Sequence, residues 1–582
     1  MKKVLTLGLL AVTATLLSSS LTFRGSSSVI ANEEPKKLVL NSSKFAGIKR
    51  AKDYEGASLT LYNCEDYIEE SLLEEFEETY NCKVNYYTFD TNETLYNQFK
   101  LQPEGTYDLI CASDYMLQKM VKEGLFDPID ITNDVPVYDE YASEAVRSKL
   151  ASMTVNLGDE VVSLDDYVVG YMWGTLGIVY DPETSETIQD DVKSWDVFWD
   201  EQYNNLISIK NSVRDTFVVG LMHAYAGSDV TNQEDILNPA REVFLAELEA
   251  ATTEEEKDAA RAKYNTVIQN TFDLLINEPN YQPYIDIVKQ ELISLKSNIF
   301  GFEVDSGKND IITGKIKMNL AWSGDAVYSI DTAEEEADKY LEYAIPEEGS
   351  NVWYDGWALP KKANKELAME FLNFINDPTN TATNVEYIGY TPFIGSEDVF
   401  ETIGSWYGIP EYYEGATYVP ANDEEEVEAS VVFYNDKYYT YIAEEESDGH
   451  LPTETDYWEE MSEEDVEELG LSGNTRDLGY YFKGANSERS FVLHTYDGDD
   501  NQLECQYPTE DILARCAVMN DFQSANDAVI IMWGQLRAYT NMLPYYIILA
   551  VSAGILVVFV TTKIVTKKTS SRRKRMLSES SK

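Results

Sequence analysis

The chain has 582 residues with 45 Lys and Arg against 103 Asp and Glu, a formal net charge of −58. Such acidity repels phosphate backbones and argues against a nucleic-acid partner, while 44% hydrophobic and 12% aromatic residues supply ample core and argue against disorder. The charge is uneven: the first 31 residues hold three basic and no acidic side chains, the last twenty hold eight basic and one acidic, and the stretch between holds 34 basic against 102 acidic, a net of −68. A body of that sign favours a small cation or polycation, and its length predicts two or more compact units.

Met1-Lys2-Lys3 opens an apolar run that lasts to Phe23 and breaks at Arg24-Gly25 and a serine cluster. Residues 1–31 therefore read as a signal peptide, with a cut after Ala31, although the run is long enough to stay as an uncleaved anchor. No cysteine follows the run, so a lipid-attachment box is absent. Residues 32–56 are polar and basic without sustained periodicity and suit a linker.

From Ala57 the texture changes. Residues 58–62, 83–89 and 107–111 read as strands, and 71–80, 94–100 and 116–123 as helices between and after them. Strands alternating with helices imply parallel βαβ units, in which ligands bind beyond the carboxyl ends of the strands. Residues 63–67 and 112–115 would then flank one crevice. Residues 167–180, 317–322 and 353–360 repeat the style. An acidic helical stretch at about 238–275, with an N-cap offered around Thr252-Thr253, and a Tyr-, Glu-, Asp- and Gly-rich stretch at 396–506 read as insertions.

Residues 543–562 carry no charge. A helix of twenty residues spans about 30 Å, the thickness of a bilayer's hydrocarbon core. Tyr545 and Tyr546 mark one edge, and Lys563, Lys567, Lys568 and the Arg572-Arg573-Lys574-Arg575 run mark the other. The positive-inside rule places that basic tail in the cytoplasm and the acidic body outside, giving a single-pass protein of the cell membrane.

Signatures of catalysis are weak. His223, His450 and His494 are far apart, and no CxxC pair, Gly-rich phosphate loop or GxSxG elbow is present. Tyr496-Asp497-Gly498-Asp499-Asp500 begins like a calcium loop but lacks the downstream glutamate. Paired acids for glycoside hydrolysis carry no information in a body with 102 acids. Five cysteines are too few for a disulfide scaffold; Cys505 and Cys516 are near enough to pair, and a Cys64–Cys111 bridge is a second expectation because both sit at crevice-side strand ends.

Several stretches look familiar in their order and spacing: Leu61-Tyr62-Asn63-Cys64-Glu65-Asp66-Tyr67; Asn92-Glu93-Thr94-Leu95-Tyr96 leading to Tyr107-Asp108-Leu109-Ile110, Ser113 and Tyr115; Gly170-Tyr171-Met172-Trp173-Gly174; Asn319-Leu320-Ala321-Trp322-Ser323-Gly324; Trp353-Tyr354-Asp355; and Ile388-Gly389-Tyr390-Thr391-Pro392. With them, the body resembles the spermidine/putrescine-binding proteins, the extracytoplasmic receptors of polyamine ABC importers. The resemblance implies an α/β, bilobal periplasmic-binding-protein-like fold of type II with two insertions, to which the C-terminal transmembrane helix is added. Lobe 1 would take residues 57–165 and 356–395, lobe 2 residues 166–355, and a helical part residues 507–542, ahead of the membrane segment and the tail at 563–582.

Carried over position by position, the family's ligand contacts fall on Tyr67, Ser113, Tyr115, Asp215, Trp322, Trp353, Asp355 and Tyr390, with Cys64, Glu65 and Ser212 as further candidates. Carboxylates accept charge-assisted hydrogen bonds from ammonium groups, and aromatic faces pack methylenes and attract cations. The sequence departs from the family where Cys64 replaces a tryptophan, Ser212 a carboxylate and Met519 a glutamine, while Glu65 or Asp114 offers compensating charge. The implied function is a membrane-tethered, non-enzymatic receptor that binds polyamine between two lobes and passes it to a permease with a cytoplasmic ATPase, without a cofactor or metal. The alternatives are a receptor for another solute (a sugar or peptide), a tethered surface sensor or adhesin, and a cell-wall glycosidase.

Overall fold

The computed structural model describes residues 53–158, 160–225, 237–277, 279–422, 429–482 and 489–539, together with 552, 562 and 563. The expected signal peptide and nearly all of the expected membrane segment and tail lie outside the described residues. Among those described, no helix is long and apolar enough to cross a membrane.

Leu59 and Leu61 alternate inward along strand β1 (Ser58–Cys64) and are fully buried. Helix α1 (Glu70–Tyr80) lays Leu72, Leu73 and Phe76 on that core and ends at Asn81 in the left-handed conformation. Strand β2 (Lys83–Phe89), helix α2 (Asn92–Leu101), strand β3 (Leu109–Ser113) and helix α3 (Asp114–Lys122) follow in the order expected. β1 pairs in parallel with both β2 and β3.

The sheet then departs from an all-parallel pattern. Its remaining main strands are β4 (Val168–Tyr180), β5 (Ile207–Lys210), β6 (Gly301–Glu303), β7 (Met318–Trp322) and β8 (Ser350–Pro360), in the spatial order β2-β1-β3-β8-β4-β7-β5-β6. β8 runs antiparallel to both β3 and β4, and β7 antiparallel to β4. β4 and β8 are the long central strands, and every residue of β4 is buried. There are two separate hydrophobic cores: β8 and most of β4 belong to the first, while Leu176, Ile178 and Tyr180 of β4 belong to the second. One is built on β1, β3 and β8; the other is built on β5, β7 and helix α4 (Val213–Tyr225). Asp355 lies midway along β8, opposite Ser113 at the end of β3.

The acidic stretch after α4 forms helices α5 (Leu237–Ala250) and α6 (Glu254–Phe272). Thr253 caps α6 in a reciprocal capping box with Glu256. Residues 408–496 contain two three-stranded sheets despite their lack of legible period. One of these encloses a small aromatic core of Tyr418, Tyr439, Tyr441 and Trp458. All five cysteines are free thiols, so neither the Cys64–Cys111 nor the Cys505–Cys516 bridge is present.

Candidate functional site

β8 and β3 meet with Asp355 opposite Ser113. The β8–β4 register shifts between Tyr354 and Gly356, so Asp355 is the residue at the irregularity, where a side chain can be re-aimed. The Tyr67 hydroxyl donates to Asp355 Oδ2 at 2.9 Å, and Asp355 Oδ1 is buried without a hydrogen bond. Burial pushes the Asp355 carboxyl up to about 6, against the Ser113 and Tyr67 hydroxyls, which favour its charged form.

The aromatic residues expected at the site converge. Tyr67 and Tyr390 pack edge to face at 5.2 Å between ring centres, and Trp353 lies 5.6 Å from Tyr390. Two glycines permit this. A Cβ on Gly324 would run into the Tyr390 ring, and one on Gly174 into Ser323 Oγ and the Trp353 indole. Both glycines belong to the short motifs visible in the sequence, and close packing explains them.

Asp215 lies in the first turn of α4 and is buried, which raises its carboxyl; Ser212, Lys210 and Trp322 oppose that rise. Its neighbour Arg214 makes no ion pair with it. The guanidinium donates to the Met519 and Asn520 carbonyls at 2.5 and 2.6 Å and stacks on Tyr115 and Phe522. Tyr115 in turn donates to Glu93 at 3.1 Å. Ser113 holds the N-cap position of α3 without a capping hydrogen bond; Asn92 instead bonds both its backbone N–H and its hydroxyl.

The further candidates divide. Cys64 is half-buried, and burial with the nearby Asp355 charge pushes its thiol up to about 12, so it stays protonated. Ser212 accepts from the Asp215 backbone N–H at 3.3 Å. Glu65 is exposed and forms no part of the buried wall. Asp114 is no free counter-charge either: it accepts from the backbone N–H groups of Tyr115 and Tyr354, and burial pushes it up to about 7. Met519 is buried in the second core.

Sequence reasoning missed Asp325, Lys210 and Glu303. Asp325 Oδ1 accepts from the Tyr390 hydroxyl at 3.0 Å, and its Oδ2 lies 2.9 Å from Lys210 Nζ. Lys210 also lies 3.3 Å from Glu303. The available signal was position: Lys210 ends buried strand β5, and Asp325 follows buried strand β7, which Trp322 ends. Among the described residues one acidic cluster has metal-like spacing, Glu254, Asp258 and Glu510, and Arg261 Nη1 sits among them at 2.5, 2.9 and 3.1 Å. The Asp497–Asp500 run is not among such clusters.

Buried acids beside aromatic faces are the chemistry that suits a cation. The chain also matches the family of bacterial extracellular solute-binding proteins over residues 71–399. It is 26% identical over 356 residues to the spermidine/putrescine-binding periplasmic protein of Salmonella typhimurium strain LT2, covering 59% of this chain and 80% of the relative. To the putrescine-binding periplasmic protein SpuD of Pseudomonas aeruginosa strain UCBPP-PA14 it is 26% identical over 343 residues, covering 57% and 77%. A solved structure, the substrate-binding protein of a spermidine/putrescine ABC transporter from Streptococcus pneumoniae, aligns with a TM-score of 0.40 at 24% identity, covering 59% of this chain and 85% of that one. These relatives are binding proteins and not enzymes. The chain belongs to the bacterial extracellular solute-binding protein family.

Proposed function

We propose that this protein is the membrane-tethered, extracellular receptor of an ABC importer, and that it captures polyamines between its two lobes. The reading is carried by Asp355: a buried carboxylate with one oxygen on Tyr67 and the other unsatisfied, walled by Trp353 and Tyr390. An alkylammonium would complete it by donating to Oδ1 while its methylenes lie on the aromatic rings. Asp215, Trp322, Trp353 and Asp355 fall in lobe 2 and Tyr67, Ser113, Tyr115 and Tyr390 in lobe 1, so a ligand touching both sets favours the closed over the open arrangement. Lobe 1 is assigned residues 57–165 and 356–395, and lobe 2 residues 166–355.

The names of the relatives support a polyamine over a sugar or peptide. Isothermal titration of folded protein with putrescine, spermidine and spermine tests the reading: heat with at least one is expected, and none with any rejects it. The tether rests on the uncharged segment 543–562 with its basic flank. Resistance of the full chain to extraction from membranes by alkaline carbonate is the expected result, and release into the supernatant counts against it. Delivery to a permease is tested by co-purification from detergent-solubilised membranes.

A further inference from the structure

The helix Asn526–Ala538 departs from the usual pattern of a surface helix. Its inner face is ordinary: Val529, Met532 and Leu536 are buried in the second core, and Trp533 packs edge to face on Phe302 of β6 at 5.4 Å. The outer face of such a helix should carry polar and charged side chains. Beyond Asp527 in the first turn it carries Ile530, Ile531, Gly534 and Ala538, which share one side at helical spacing. Ile530 and Ile531 are 47% and 60% exposed, and Tyr539 just past the helix adds an exposed ring.

Cations gather at the carboxyl end of this helix. Arg537 bonds Asn211 and lies over the Trp533 and Phe302 rings. Lys296 donates to the Leu536, Arg537 and Tyr539 carbonyls, and Lys289 donates to Gln535. None of the three forms an ion pair among the described residues, in a body where acids outnumber bases 102 to 34.

Position says what covers this face. Four residues, 539–542, separate Ala538 from the uncharged segment 543–562. The five steps of chain from Ala538 to Leu543 span at most about 18 Å when fully extended. The headgroup layer takes up about 5–8 Å of that distance. With 543–562 in the bilayer, the helix end is held at the membrane surface. An apolar face edged by cations is stabilised there, its isoleucines towards the acyl chains and its cations on lipid phosphates.

We propose that the outer face of this helix, Ile530 to Ala538, docks on the lipid headgroup layer. The second core then rests on the membrane. Strand β2, at the opposite edge of the sheet from β6 and roughly 34 Å from it along the sheet, stands away from the bilayer. This rests on the membrane-tether reading above.

The test uses the full chain, one copy per nanodisc of phosphatidylcholine and phosphatidylglycerol. A bimane label is placed at Ile531→Cys and, in a second sample, at Tyr87→Cys on β2, where the native side chain is also exposed. Ile530→Cys replaces the first variant if that one does not fold. Nitroxide-bearing phosphatidylcholine is expected to quench the label on the helix severalfold more than the label on β2, and iodide in the buffer to do the reverse. Equal quenching of the two labels by iodide overturns the proposal, and co-elution of the chain with the discs leaves the tether standing. Shielding from iodide without quenching by the lipid nitroxide also overturns it, because protein then covers the face. Shielding that appears only with two chains per disc assigns the face to a second copy and overturns it as well. A chain that does not co-elute with the discs removes the tether reading and this proposal with it.

Discussion

The Tyr67 hydroxyl donates to Asp355 Oδ2 at 2.9 Å, joining the loop after β1 to the register irregularity of β8. The bond fixes the carboxylate, while Oδ1 stays buried and unsatisfied. A buried, unmet acceptor costs free energy in the protein alone, and that cost is relieved when a donor arrives.

Asp355→Asn keeps the shape and removes the charge. Polyamine affinity should fall roughly 100-fold, the scale of losing one partner of a buried charge pair. Tyr67→Phe, which removes one hydroxyl, should cost only about 1 kcal/mol. Titration calorimetry of both variants checks the order; equal losses would mean that Tyr67 itself holds the ligand.

Ligand binding should weaken as pH falls through about 6, where the Asp355 carboxyl takes up its proton. The same group makes the opposite contribution to the stability of the protein alone. Its pKa is raised on folding from the unfolded value of about 3.9, so between there and about 6 the folded state holds the proton and the unfolded state does not. Its contribution therefore declines as pH rises through that window. Asp355→Asn should gain on the order of 3 kcal/mol over wild type above the window and nothing below it. Urea unfolding at a series of pH values measures the difference.

Gly324→Ala should destabilise by about 1–3 kcal/mol, because the added methyl displaces the Tyr390 ring, and it should weaken binding as well. Gly534→Ala is the contrast. It lies inside the helix Asn526–Ala538 with open space around its Cα, and should stabilise by about 0.5–1 kcal/mol. Thermal unfolding of the two variants separates local crowding from backbone freedom.

Alkylation in denaturant without reductant should modify all five cysteines, since each is a free thiol. In the native state labelling should be slow. Burial holds the Cys64 and Cys516 thiols up at about 12 and the Cys111 and Cys505 thiols well above their ordinary value, which leaves little thiolate to react. Mass spectrometry counts the labels, and fewer than five would restore the expected bridge.

Much of the architecture was legible where local pattern and local structure agree. The alternation of Leu59 and Leu61, the leucine-and-phenylalanine face of α1 and the Thr253 cap act within one element, so short windows of sequence reveal them. Residues 408–496 gave no period because their strands are three to seven residues long and pair across long separations, as Ile409 does with His494. The direction of β4 and β8, which pair antiparallel, was not legible for a related reason. Both are buried along nearly their whole length and show no alternation from which direction could be read.

At the site, residue type and motif spacing brought Tyr67, Asp355, Trp353 and Tyr390 into view, because each lies in a short motif of the sequence: Tyr67 in the loop after β1, Trp353 and Asp355 within β8, and Tyr390 just before a short strand. They could not show which acids are already neutralised. Asp325 and Asp355 look alike in the chain, but one faces Lys210 and the other an unpaired void in its hydrogen bonding. Charge balance depends on which side chains lie within a few ångströms, and that distance is set by folding: Lys210 and Asp325 are 115 residues apart in sequence and 2.9 Å apart in space.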